Sequence, residues 1–172
     1  MDLSVDLDLL KEIRDILVEQ DKTLAVAESV TSGLIQFSFA SAPNASEYFQ
    51  GGITAYNLGQ KCRHLSIDAI HGMKCDCISE KTAREMALNV IPLFACGYGI
   101  AITGYSALSK KDNINELYAW FAIAEAGKIL LSKKIKSVEE EGDDTQLFYT
   151  KQTILAFRDT LKKVEPKNSM ER

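Results

Sequence analysis

Three residues in the first third of the chain have the types that activated-serine chemistry requires. Ser29 follows the apolar run 23–28 and precedes Val30-Thr31-Ser32-Gly33, after which an amphipathic pattern resumes. This reads as a buried strand, a tight turn and a helix start. Such a junction brings together a hydroxyl, unpaired backbone N–H groups and the positive end of a helix dipole. Tyr56 ends a second strand-like segment, and Lys61 lies five positions later in the next helix. Serine is a weak nucleophile until a base takes its proton, and a partly desolvated lysine with a lowered pKa can be that base. A tyrosine hydroxyl between them can relay the proton or orient the attacked carbonyl. Free N–H groups at 30–33 can hold an oxyanion or a phosphate. Spacing alone does not unite these groups, and each also has a plainer reading as helix cap, half-buried strand residue or solvated charge. Two strands ending at the same sheet edge would bring them together.

Cys62, His64, His71, Cys75 and Cys77 fall close together in sequence and are of zinc-ligating type. Cys-x-Cys and Cys-x-His are tighter than the usual ligand spacing of structural zinc sites. The segment therefore reads as reduced thiols in a loop, and neither a metal nor a cofactor is expected.

The elements that must position the trio follow from periodicity. Residues 4–20 place Leu9, Leu10, Ile13, Ile16 and Leu17 on one helical face, with Ser4 or Asp6 as cap. Residues 23–28 predict a strand, 31–40 a helix, 51–56 a strand entered through glycines, and 57–65 a helix. The stretch 67–77 shows no period and reads as a loop. Ser79 caps a long helix with Ala83, Met86, Ala87, Val90 and Leu93 inward, stopped by Pro92 and Gly97. A strand over 98–104, two more over 117–125 and 128–136 joined at Ala126-Gly127, and a helix over 144–163 complete the chain. Strands alternating with helices, closed by a hairpin, predict an α/β fold: a three-layer α/β/α sandwich with a mixed, mainly parallel sheet. The 172 residues fit one domain spanning 1–172, with 164–172 a frayed tail.

A net charge of −4 gives no electrostatic case for nucleic acid or an anionic membrane as partner. The acidic N-terminus is neither a secretory signal nor a transit peptide, and no apolar run approaches the ~20 residues that span a bilayer. A cytoplasmic protein with a small-molecule substrate is the expectation. A homo-oligomer is compatible with the sequence.

Several blocks also resemble a known family. Residues 27–35, Ala-Glu-Ser-Val-Thr-Ser-Gly-Leu-Ile, resemble the AESCTGGL signature of the CinA C-terminal family, the nicotinamide-nucleotide amidohydrolases. Residues 49–61 are similar to its F-x-G-G-x-x-x-Y-x-x-x-x-K block, 78–87 to its VSExxAxEMA helix and 100–104 to its AxTG strand end. The blocks keep the family order over roughly residues 5–163. The resemblance implies a stand-alone amidase domain that cleaves the carboxamide of nicotinamide mononucleotide, releasing ammonia. Ser29 would be its nucleophile, with Tyr56 and Lys61 the activating pair. Glu28, Thr31, Gly33, Asn57, Thr103 and Gly104 would form the substrate site.

The chain departs from that pattern at specific positions. Val30 and Ser32 replace the Cys and first Gly of the signature, and a Cβ at 32 could obstruct a conformation that needs glycine. Residues 105–112 contain no Gly or Pro where the family runs into a glycine- and proline-rich loop. Asp144 and its neighbours lack the two expected arginines, the side chains best shaped to clamp phosphate. Lys110 and Lys111 could compensate. The alternative is therefore a catalytically impaired ligand-binding or regulatory module with a rewritten phosphate site.

Overall fold

A computed structural model describes residues 6–139 and 141–164. Helix α1 (Leu7–Glu19) starts at Asp6, whose carboxylate accepts from the Asp8 N–H at 2.9 Å, and buries Leu9, Leu10, Ile13 and Leu17. Strand β1 (Leu24–Glu28) is buried throughout. Helix α2 (Leu34–Ala40), a 3₁₀ turn (Ala45–Glu47) and strand β2 (Phe49–Thr54) follow. Next come α3 (Leu58–Leu65), α4 (Ala69–Lys74) and α5 (Glu80–Phe94). Strand β3 (Tyr98–Gly104), the hairpin β4 (Tyr118–Glu125) and β5 (Lys128–Lys136), and α6 (Asp143–Leu161) end the domain. The hairpin turns at Ala126 and Gly127, both with positive φ, as a tight two-residue connection requires.

The sheet order is β2-β1-β3-β4-β5, with β1 parallel to β2 and β3 and with β4 antiparallel to both its neighbours. Alternation along the central strands divides the core in two. Val26 and Ile100 join Leu10, Ile13, Phe39 and Phe157 beneath α1, α2 and α6. Ala25, Ala27 and Ala101 face Met86, Ala87 and Val90 of α5 on the other side. The small residues on that second face let α5 approach the sheet closely, and a Cβ on Gly99 would overlap the carbonyl oxygen of Ala87. This is the three-layer sandwich read from the sequence.

Several boundaries differ from expectation. Helix α2 begins at Leu34 rather than Thr31, because residues 30–33 form a turn. Strand β2 runs from Phe49 and stops at Thr54, two residues before Tyr56. The stretch 67–77 holds α4, capped by Asp68, whose carboxylate accepts from the His71 N–H at 3.0 Å. Its buried face is Gly72, against Leu58 and Cys77, while Ile70 and Met73 are exposed. No apolar period could announce such a helix. Pro92 lies inside α5, and Leu93 is exposed rather than inward. Ser4 and the tail from 165 onward fall outside the described residues.

Candidate active site

Because β2, β1 and β3 run parallel, their carboxyl ends meet at one edge of the sheet, where ligands of open α/β folds bind. The turn leaving β1 is organised by Glu28, which is fully buried. One of its carboxylate oxygens accepts from the Thr31 hydroxyl at 2.5 Å and from the N–H groups of Gly33 and Ile35, each at 3.1 Å. The other accepts from the Gln36 N–H at 2.8 Å. The strand thus caps the helix that follows it, satisfying donors a helix start leaves unpaired and setting a negative charge at the positive end of its dipole. Ser32 and Gly33 take positive φ, 52° and 101°, to complete the turn.

This turn leaves Ser29 at the strand end, 6% exposed, facing α3. The start of α3 is fixed by Asn57, whose side chain accepts from the Gln60 N–H at 3.0 Å. Lys61 then reaches back beneath the turn and is 2% exposed. Its Nζ donates to Ser29 Oγ at 2.8 Å and to the main-chain carbonyl of Tyr56 at 2.9 Å. Burial lowers the Lys61 pKa below its ordinary 10.5, against the opposing pull of Cys77 and Asp76. A buried lysine so placed holds two of the properties a general base requires: contact with the nucleophile and a weakened hold on its proton.

A cleft of about 520 Å³ opens on this pair. Of the residues named from the sequence, Ser29, Tyr56, Asn57, Lys61, Thr103 and Gly104 line it. Thr103 donates its hydroxyl to the Cys77 carbonyl at 3.0 Å, tying the end of β3 to the segment before α5. Gly104 has no room for a Cβ, which would come within 2.5 Å of the Tyr118 carbonyl oxygen.

Four expectations change in detail. Glu28, Thr31 and Gly33 are not in the cleft lining: Glu28 spends its oxygens on the turn, and Thr31 and Gly33 are two of its donors. Tyr56 meets Lys61 through its carbonyl, while its side chain is 74% exposed at the cleft, so its hydroxyl does not stand between Ser29 and Lys61. The cause is the early end of β2. Of the N–H groups at 30–33, that of Ser32 donates to the Ser29 carbonyl and that of Gly33 to Glu28. Those of Val30 and Thr31 meet no acceptor among the described residues. Lys110 and Lys111 are exposed and do not line the cleft.

Sequence reasoning did not single out Asp76, Tyr105 or Gln146, all of which line the cleft. Gln146 donates its amide to the Val30 carbonyl at 2.8 Å, joining the start of α6 to the turn after β1. No spacing rule connects residues so far apart in the chain. In the cysteine-rich stretch, His71 Nε2 lies 2.8 Å from the Ser79 hydroxyl, which caps α5. Among the described residues no three His, Cys, Asp or Glu side chains converge in metal-holding geometry. A larger hollow of about 670 Å³ lies between α1 and α6, but its Glu12 and Arg158 are paired at 3.0 Å, and no Ser, Thr or Cys lines it. No helix among the described residues is long and apolar enough to cross a membrane.

The fold and the buried Ser–Lys pair define an α/β/α domain with a candidate site at the carboxyl edge of the sheet. The model of the CinA C-terminal domain matches residues 6–161, and the chain belongs to that family. A protein of Streptococcus pyogenes serotype M5 (strain Manfredo), named as competence-damage inducible, is 36% identical over 99 residues. The match takes in 58% of this chain and 23% of that relative, so the matched segment spans less than a quarter of the relative's length. The competence damage-inducible protein A of Klebsiella pneumoniae MGH 78578 superposes with a TM-score of 0.86 at 19% identity, covering 92% of this chain and 98% of that one. A CinA superfamily protein of Escherichia coli gives 0.81 at 23% identity, covering 94% and 92%. At these identities the solved structures speak for the fold.

Proposed function

We propose that this domain is a serine amidohydrolase that releases ammonia from a carboxamide of the nicotinamide mononucleotide type. The observation that carries this reading is the 2.8 Å contact between Lys61 Nζ and Ser29 Oγ in a buried setting that opens on a cleft. With Lys61 neutral, the Ser29 hydroxyl donates to Nζ across that contact. Ser29 Oγ then attacks the amide carbon as its proton passes to Lys61. The tetrahedral oxyanion takes a hydrogen bond from the free N–H of Val30, whose residue lines the cleft. Lys61 returns the proton to the amide nitrogen, the C–N bond breaks, and ammonia leaves an ester on Ser29. Water attacks the ester, its proton again passing to Lys61 and on to Ser29 Oγ, and a carboxylate is released. Thr103 and Gly104, at the end of β3, line the same cleft. The family supports nicotinamide mononucleotide as the first substrate to test.

A second reading is favoured by the cleft lining, in which Lys61 is the one cation among the described residues and is already engaged. In this reading the domain binds a ligand without efficient turnover. Incubating the protein with nicotinamide mononucleotide and a panel of small amides, with ammonia as readout, separates the two. Ammonia release supports the amidase. Ligand-induced thermal stabilisation with no release from any amide supports the binding module.

A further inference from the structure

The charges around the cleft bear on which amide it accepts. Among the described residues two charged side chains line it, Lys61 and Asp76. The Lys61 ammonium is spent on Ser29 and the Tyr56 carbonyl, so it has little left to offer a phosphate. Where α6 reaches the cleft, Gln146 directs its amide to the Val30 carbonyl and towards Ser32 Oγ, 3.4 Å away. The first turn of that helix carries Asp143 and Asp144, whose charges oppose an anion at its N-terminus. Neither of these two lines the cleft itself, so among the described lining residues a phosphate dianion would meet the Asp76 carboxylate and no free cation.

The opposite charge is better served. Asp76 sits in a left-handed turn, φ 50°, with its carboxylate 3.4 Å from the Tyr105 hydroxyl. The Tyr105 ring is held edge-on against Tyr118, with centroids 5.6 Å apart, so it forms a fixed aromatic wall beside a carboxylate. Burial and the neighbouring Asp76 push the Tyr105 phenol up to about 12, which keeps it protonated. An aromatic ring beside a negative charge is a receptor for a flat cation. The exposed Tyr56 ring adds a second aromatic surface to the cleft.

The geometry points to a substrate that is a carboxamide on a positively charged ring and carries no phosphate, an N-substituted pyridinium carboxamide such as nicotinamide riboside. This inference rests on the amidase reading for its chemistry and narrows the substrate: the same C–N bond is cleaved, water supplies the hydroxyl, and ammonia leaves. Asp76 and Tyr105 act as specificity residues, recognising charge rather than taking part in proton transfer.

The test measures affinity in Ser29→Ala by calorimetry and ammonia release in the unaltered protein, each with nicotinamide riboside, nicotinamide mononucleotide and neutral nicotinamide. The riboside should bind about tenfold more tightly than the mononucleotide, the scale of one partly desolvated cation–aromatic or ionic contact. Asp76→Asn should shrink that ratio to about threefold or less, leaving neutral nicotinamide unmoved. Asparagine tolerates the left-handed turn, so this variant keeps its fold. Equal or tighter binding of the mononucleotide, an unchanged ratio in Asp76→Asn, or no binding of any of the three overturns the inference. Ammonia released faster from the mononucleotide overturns it while leaving the amidase intact. The predicted binding order with no ammonia from any compound upholds the recognition and removes the amidase.

Discussion

Lys61 Nζ lies 2.8 Å from Ser29 Oγ although thirty-two positions separate the two residues, and Lys61 is 2% exposed. Two capping interactions produce that contact. Glu28 fixes the turn that presents the serine, and Asn57 fixes the start of the helix that carries the lysine. The site is thus a product of local helix-start chemistry at two strand ends that the parallel sheet aligns.

Lys61→Met should lower amide turnover by about 10²–10⁴-fold, the usual contribution of a positioned general base. In the unaltered protein the rate should rise with pH as Lys61 loses its proton. Stability carries a linked signature with a definite sign. Burial lowers the Lys61 pKa in the folded state below 10.5, so between that lowered value and 10.5 the unfolded chain holds a proton the folded chain lacks. Folding releases that proton, and stability therefore rises with pH across this window. Thermal midpoints from pH 7 to 10 should show the unaltered protein gaining on Lys61→Met. Parallel curves for the two would refute a depressed lysine.

Glu28→Gln tests the claim that the buried carboxylate builds the turn. The amide keeps one acceptor oxygen. With that oxygen serving Thr31, Gly33 and Ile35, its NH₂ group would face the Gln36 N–H, which then loses its partner. Losing one charge-assisted bond of this kind costs about 2 kcal/mol, which lowers the melting midpoint by roughly 4–8 °C in a chain of this size. Turnover should fall about 10²-fold through displacement of Ser29. A wild-type midpoint would show that the carboxylate does not hold the turn.

Ser32 holds a left-handed φ of 52° where glycine has no steric cost. Ser32→Gly should stabilise the fold by about 1 kcal/mol, seen as a higher midpoint in denaturant unfolding with an unchanged slope. A lower midpoint would mean that the 3.4 Å contact from Gln146 to the Ser32 hydroxyl outweighs the relief of backbone strain.

The sandwich was legible because its signals are local. Apolar runs mark β1 and β3, alternation marks the hairpin strands, Asp6 and Ser79 mark helix starts, and Ala126-Gly127 marks the hairpin turn. The Ser29–Lys61 pairing was legible in part, since a strand end and the following helix are where such groups meet. The role of Glu28 was not, because a carboxylate bonded to donors up to eight positions ahead looks in sequence like any acidic residue before a serine. Tyr56 was misplaced by a strand that ends two residues early, which turns its carbonyl rather than its hydroxyl to the lysine. Helix α4 was hidden because its inward residue is Gly72, and Gln146 because its partner Val30 lies 116 positions away.

The most direct test of the Ser29–Lys61 amidase is ammonia release measured side by side for the unaltered protein and Ser29→Ala, on whichever carboxamide of the panel turns over fastest. Release should fall by about 10³-fold or more in the variant, as when a catalytic nucleophile is removed. Release that persists in Ser29→Ala at the rate of the unaltered protein would contradict it.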